Sequence, residues 1–298
     1  MNRKEFGQLL ATLRQDLDWK QSQLAEIADL DEAVISQIER GVKKFFEPEL
    51  LLCLANALQL TTLERREFFL AASGVEQNQM VRQPTGGTTT DTQHPTRILD
   101  RLTQTLKSLQ IPAFINDVYG DAIAANRAVI DFFHIPASMI ESAGEVPAGY
   151  NTMRMTFNRE LVARTHVADN WNEYAITSML SYRVTTLRYR AKPYFKYLLK
   201  IFRDPVEYPL FDRFWKRVSS LETDRMMNTD YFQYRHETYG QIHYMAVPVT
   251  TITAFGELFL TSYQPLDAHT SEIFAQIHQE AGENIIHLAP WPMKKFPG

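Results

Sequence analysis

Apolar residues recur at helical spacing through the first quarter of the chain. Phe6, Leu9, Leu10 and Leu13 form one stripe, Leu24, Ile27 and Ala28 a second, and Val34, Ile35 and Ile38 a third. Leu50 to Leu58 and Leu63 to Leu70 continue the pattern, which ends near Gly74. The polar segments between these stripes are short, so the spacing predicts a compact bundle of five helices.

The pattern lapses over residues 78–96, which hold Gly86, Gly87 and a run of threonines and almost no core-forming side chains. That is the composition of a solvated connector. Beyond it, Ile98, Leu99, Leu102, Leu106 and Leu109 outline a helix whose stripe suits dimerisation, a relay, or packing on its own domain. AFINDV and DAIAAN then read as short strands around Tyr119-Gly120, residues 126–134 and 151–217 return to helical patterns, and DYFQYRHET, QIHYMAVPVTTIT and GELFLTSYQ read as strands at hairpin spacing. A closing helix is expected over Ser271 to His287. This order predicts an all-α domain at 1–76, a linker at 77–96 and an α+β domain with a five-stranded antiparallel sheet and a helical insert at 97–298.

Composition narrows the function classes. The chain has 298 residues, 31 Lys+Arg against 35 Asp+Glu and a formal net charge of −4, values of an ordinary globular protein. A single cysteine, Cys53, excludes an intrachain disulfide and a cysteine-based zinc site, and its leucine neighbours suggest a buried thiol. The charged N-terminus lacks the apolar core of roughly 7–15 residues of a signal peptide, and no stretch approaches the roughly 18 apolar residues of a membrane span. A soluble, cytoplasmic protein with no membrane partner is expected.

The sharpest motif runs from Gln21 to Gly41. Gln21 opens one helix, Leu24-Ala25 packs it, Asp31 is placed to cap the next, and Glu39-Arg40-Gly41 closes that one. Residues 3–74 resemble the helix-turn-helix domain of phage-repressor-like (XRE family) regulators. The resemblance pairs Arg14 with Glu39 and implies a double-stranded DNA operator. With Val34, Ile35 and Ile38 facing the core, Glu32, Ala33, Ser36 and Gln37 face outward, the side that enters the major groove in this fold. Gln37 suits adenine, Ala33 a thymine methyl and Glu32 cytosine, while Gln21, Arg40, Lys43 and Lys44 suit phosphates. Residues 1–74 carry nine basic and twelve acidic side chains, so binding would rest on base contacts or dimerisation rather than bulk charge.

Catalytic signatures do not emerge from the second block. His236-Glu237 is not followed by a histidine at the metalloprotease spacing, and there is no Walker loop, GxGxxG or GxSxG. No enzyme activity, catalytic residue or metal site is expected. Aromatic and methionine residues are dense, and residues 151–217 hold 13 Lys+Arg against 6 Asp+Glu. The segment Ile111 to Asn126, then Asn151 to Arg154 with Phe157, then Trp171, Arg183, Arg188 and Phe211 to Trp215 resemble the sensor domain of MmyB-like transcription regulators.

That resemblance implies a PAS-like fold over about residues 97–285 with a pocket between sheet and helices, and a long-chain fatty acid as ligand. Candidate pocket residues are Phe114, Tyr119, Asn126, Arg154, Phe157, Tyr182 and Arg183. Arg154, Arg183, Arg188 and Arg190 are candidates to clamp a carboxylate. No cofactor is expected beyond a bound fatty acid. The combined expectation is a homodimeric, ligand-responsive DNA-binding regulator. The alternatives are a C-terminal protein-interaction module or a small-molecule enzyme fused to a helix-turn-helix.

Overall fold

A computed structural model describes residues 1–74, 94–160, 171–218 and 231–296. Most of the expected linker at 77–96 lies outside the described residues. Its last positions do not: Pro95 is already the first residue of a helix, as its fixed φ allows.

The first domain is the five-helix bundle: α1 Arg3–Gln15, α2 Gln21–Ala28, α3 Glu32–Glu39, α4 Pro48–Ala57 and α5 Thr62–Ser73. Local chemistry sets the ends. Asn2 and Glu5 form a reciprocal capping box on α1, and Thr61 and Glu64 form another on α5. Phe6, Leu9, Leu10, Leu24, Ile35, Ile38, Leu54 and Phe68 make one sealed core. Gly7 lets α1 cross α3 in backbone contact, since a Cβ there would stand 2.3 Å from the Ile38 carbonyl oxygen. Cys53 is half-buried rather than sealed, because Leu50 and Leu54 take the inward face of α4.

The second domain begins with α6 Pro95–Ser108 and is built on a fully antiparallel sheet in the order β3-β4-β5-β1-β2-β6. Its strands are β1 Ala113–Asp117, β2 Ala122–Asn126, β3 Tyr231–His236, β4 Gly240–Thr253, β5 Gly256–Pro265 and β6 Ile285–His287. Between β2 and β3 lie α7 Arg127–Phe132, α8 Ala137–Ala143, α9 Thr152–Phe157 and α10 Trp171–Thr186, then a 3₁₀ turn Leu187–Tyr189, α11 Pro193–Phe202 and α12 Phe211–Val218. Helix α13 Ala268–Ala281 follows β5.

The sheet has six strands, not the expected five, and the closing helix stops at Ala281. Gly282, at φ +66°, breaks it, and Ile285 and Ile286 then pair with Asn126 and Ala125 on β2. Alternating residues on the strands serve two layers. Ala113, Ile115, Leu258 and Leu260 face α6, whose Leu106 is fully buried there with Ile98, Leu99, Leu102 and Leu109 packed around it. The apolar stripe of α6 therefore belongs to its own sheet. The other face meets α7 and α13 through Phe132, Ile273, Phe274 and Ile277. The insert has its own aromatic core, with Phe157, Met179, Tyr182, Phe195, Phe202, Phe211, Phe214 and Trp215.

Candidate nucleic-acid interface and ligand pocket

Helices α2 and α3 are held in a fixed turn by a polar knot. Arg14 donates from Nε and Nη2 to the two Glu39 oxygens at 2.7 and 2.9 Å, and Gln21 Nε2 donates to Glu39 Oε2 at 2.7 Å. Asp31 caps α3 by accepting from the Ala33 N–H at 2.8 Å. Gly41, at φ +73°, turns the chain away at the other end, and its Cα stands so close to Lys4 that a side chain would collide.

This framework leaves Glu32, Ala33, Gln37, Arg40 and Lys44 exposed, with Ser36 and Lys43 half-buried beside them. Ala33, Gln37 and Arg40 fall on one stripe of α3, the geometry a major-groove reader needs. Arg40 Nε donates back to the Ser36 carbonyl at 3.2 Å and Lys43 sits 3.5 Å from Glu47, both weak solvent-facing contacts that a phosphate can replace. Gln21 spends its amide N–H on Glu39, so it positions α2 against α3. Val42 and Phe45, 60% and 79% exposed beside this face, were not singled out from sequence. The signal was two apolar side chains in a segment too short and too basic to be a core element.

The second domain contains an apolar cavity of about 190 Å³. Phe114 and Tyr263 line it from the sheet, Val129 and Ile130 from α7, Phe133 from the residue that ends α7, Met139, Ile140 and Ala143 from α8, Met155 from α9 and Tyr174 from α10. His134 and Pro136, both exposed, stand at its rim. Polar groups in the wall are few. Tyr150 donates its hydroxyl to the Ile140 carbonyl at 2.9 Å, and burial raises the Tyr174 and Tyr263 phenols, which keeps both neutral.

Of the seven pocket residues expected from sequence, Phe114 lines this cavity. Asn126 is a structural cap: it accepts from the Val129 and Ala113 N–H groups and donates to the Ile111 carbonyl. Phe157 and Tyr182 fill the aromatic core of the insert. Tyr119 packs edge-on against Tyr189 and Tyr194, next to a buried cluster in which Lys294 bridges Asp117 and Asp121. Arg154 stands behind the wall, its Nη1 donating to the carbonyl of the lining residue Gly149 at 2.9 Å. The α8 residues went unread because Met139, Ile140 and Ala143 make only a short apolar stripe in a seven-residue helix.

Three of the four candidate clamp arginines are committed elsewhere. Arg188 pairs with Glu67 and Glu257, and Arg183 and Arg190 both pair with Glu64 on α5 of the first domain. Glu64 is fully buried; burial alone would raise its carboxyl, but the two arginines and the Thr61 N–H outweigh that and hold it at about 2. Lys192 with Glu5 and Arg203 with Asp16 extend the same interface.

Residues 98–277 match the ligand binding domain of MmyB-like transcription regulators, and residues 5–68 match a helix-turn-helix domain. The chain belongs to the MmyB-like transcription regulators. The first match covers more than half of the sequence and takes in β1 to β5, the helical insert and most of the cavity lining. No match was found among curated proteins. An MmyB-like regulator of this architecture joins a DNA-binding domain to a small-molecule-binding domain, which makes it a ligand-responsive transcription regulator. Both matched domains are regulatory in kind, and among the described residues no helix is long and apolar enough to cross a membrane.

Proposed function

We propose that this regulator senses a fatty acid whose acyl chain occupies the cavity between the sheet and α7, α8 and α10, and that two copies read a two-fold operator. The observation that carries the ligand class is the lining of the cavity. Its wall is hydrocarbon and neutral phenol, its volume of about 190 Å³ exceeds the roughly 150 Å³ that admits a benzene-sized guest, and a charged ligand placed wholly inside would lose its hydration without a partner. An amphiphile resolves that conflict by leaving its head group at the rim near His134 and Pro136. Arg154, behind Gly149, is the candidate arginine nearest that wall and the one we assign to a carboxylate. On the DNA side, Gln37 and Ala33 read base edges while Arg40, Lys43 and Lys44 hold phosphates, and Gln21 orients the reading helix.

Mass spectrometry of an organic extract of the natively purified protein tests the ligand, with calorimetry of dodecanoate binding as the second measurement. A stoichiometric fatty acid, or saturable dodecanoate binding that is lost when Ala143→Leu fills the cavity, supports the assignment. An empty extract together with no dodecanoate binding overturns it and leaves the DNA-binding half standing.

A further inference from the structure

Helix α10 runs between the two sites. Tyr174, in its first turn, is in the wall of the cavity, and Arg183, in its last, enters the interface with the DNA-binding domain. Nine residues of helix place them about 13 Å apart along one rigid element. At the far end the Glu64 carboxylate receives Arg183 Nε at 2.9 Å, Arg183 Nη2 at 3.1 Å and Arg190 Nη2 at 2.8 Å. Both guanidinium groups lie over the Trp215 indole, 5.2 and 4.9 Å from its ring centre, and Arg190 also donates to the Arg183 carbonyl. One residue after α10 ends, Leu187 is fully buried within the hydrophobic core of the DNA-binding domain.

We infer that α10 couples occupancy of the apolar cavity to the Glu64 clamp, so that the ligand controls whether the helix-turn-helix domain is docked on its sensor. This rests on the proposal that an acyl ligand fills the cavity. The clamp is built to have two states. Docked, the Glu64 carboxylate takes hydrogen bonds from both guanidinium groups; fully undocked, water serves all three; a partial displacement strands buried charges with neither. Packed interfaces of this kind switch rather than stretch, and a small shift of Tyr174 is enough to bias one. The contacts are made by α1, Asp16 at its C-terminal end and α5, while Glu32, Ala33 and Gln37 on α3 remain exposed. Docking therefore fixes the orientation of the reading helix instead of covering it, and undocking frees the spacing between two half-sites.

Coupling is reciprocal, which gives the test. On the full chain, hydrogen exchange across residues 62–73 is measured with and without saturating dodecanoate, and dodecanoate affinity is measured for the wild type, Glu64→Gln and Arg190→Gln. The second variant leaves the sequence of the DNA-binding domain untouched. The expected result is a change of about fivefold or more in exchange, matched by a similar change in dodecanoate Kd in either variant. If dodecanoate binds all three proteins within twofold and exchange does not move, the coupling is overturned while the ligand assignment stands. If dodecanoate does not bind the wild type, the acyl assignment fails, and Tyr174→Ala decides the coupling alone: altered exchange across residues 62–73 supports it, and unaltered exchange overturns it.

Discussion

Arg183 of the ligand-binding domain and Glu64 of the DNA-binding domain meet at 2.9 Å with both side chains sealed from solvent. They are 119 positions apart in sequence. The pair is completed by Arg190, and the indole of Trp215 forms a shelf beneath both arginines. The two domains are thus joined by a desolvated ion cluster as well as by the inserted Leu187 side chain. Truncating Glu64 leaves two buried guanidinium groups without their carboxylate, so Glu64→Ala should lower stability by about 3–5 kcal/mol. Urea denaturation of the full chain measures this, and a loss below about 1 kcal/mol would mean that the interface is not closed in solution.

The same carboxylate sets a pH window. Its value of about 2, against an ordinary 4.5, is a depressed one, so the stabilisation is fully present above pH 4.5 and fades as pH falls toward 2. A shift of this size corresponds to about 3 kcal/mol. Thermal unfolding of the wild type and Glu64→Gln should differ most above pH 4.5 and converge as pH drops through the window. Parallel curves down to pH 2 would contradict the assignment.

At the DNA face, base readers and phosphate anchors should separate by salt dependence. With an operator selected from random duplexes, Gln37→Ala should weaken binding by about 1–3 kcal/mol and relax preference at one base pair. Lys44→Ala should weaken all sequences about evenly and reduce the slope of affinity against salt by about one. Titrations at several salt concentrations distinguish the two behaviours. Equal effects on selected and random duplexes for Gln37→Ala would remove it from base reading.

In the pocket wall, Ile130 is nearly sealed and lines the cavity. Ile130→Ala should cost about 2–5 kcal/mol in the empty protein, because the existing void grows. Ala143→Leu should instead cost no more than about 1–3 kcal/mol while excluding ligand. Chemical denaturation with and without dodecanoate reads both at once: ligand should restore stability to Ile130→Ala and have no effect on Ala143→Leu.

Much of the architecture was readable because it depends on neighbours in sequence. The five stripes from Phe6 to Leu70, the Asp31 cap and the strands AFINDV and DAIAAN all follow from spacing within a few residues. Gly282, which stops the last helix, went unread, and Ile285 and Ile286 looked like more of that helix because a short apolar run carries no period of its own. The pocket was harder. Phe157 and Tyr182 look as suitable for a ligand wall as Met139 or Tyr174, and only the fold decides which aromatic side chains meet each other and which surround a void.

Two domains, an exposed polar face on α3 and an aromatic second domain were already legible in the chain, because caps, periodicities and motif spacings are local properties. Tertiary structure alone decided what the arginines of the insert are for. A basic run shows charge but not its partner, and the partner of Arg183 and Arg190 is one carboxylate on a distant helix of the other domain. Burial of a charge is affordable only when an opposite one is brought to it, and that requirement is met in three dimensions.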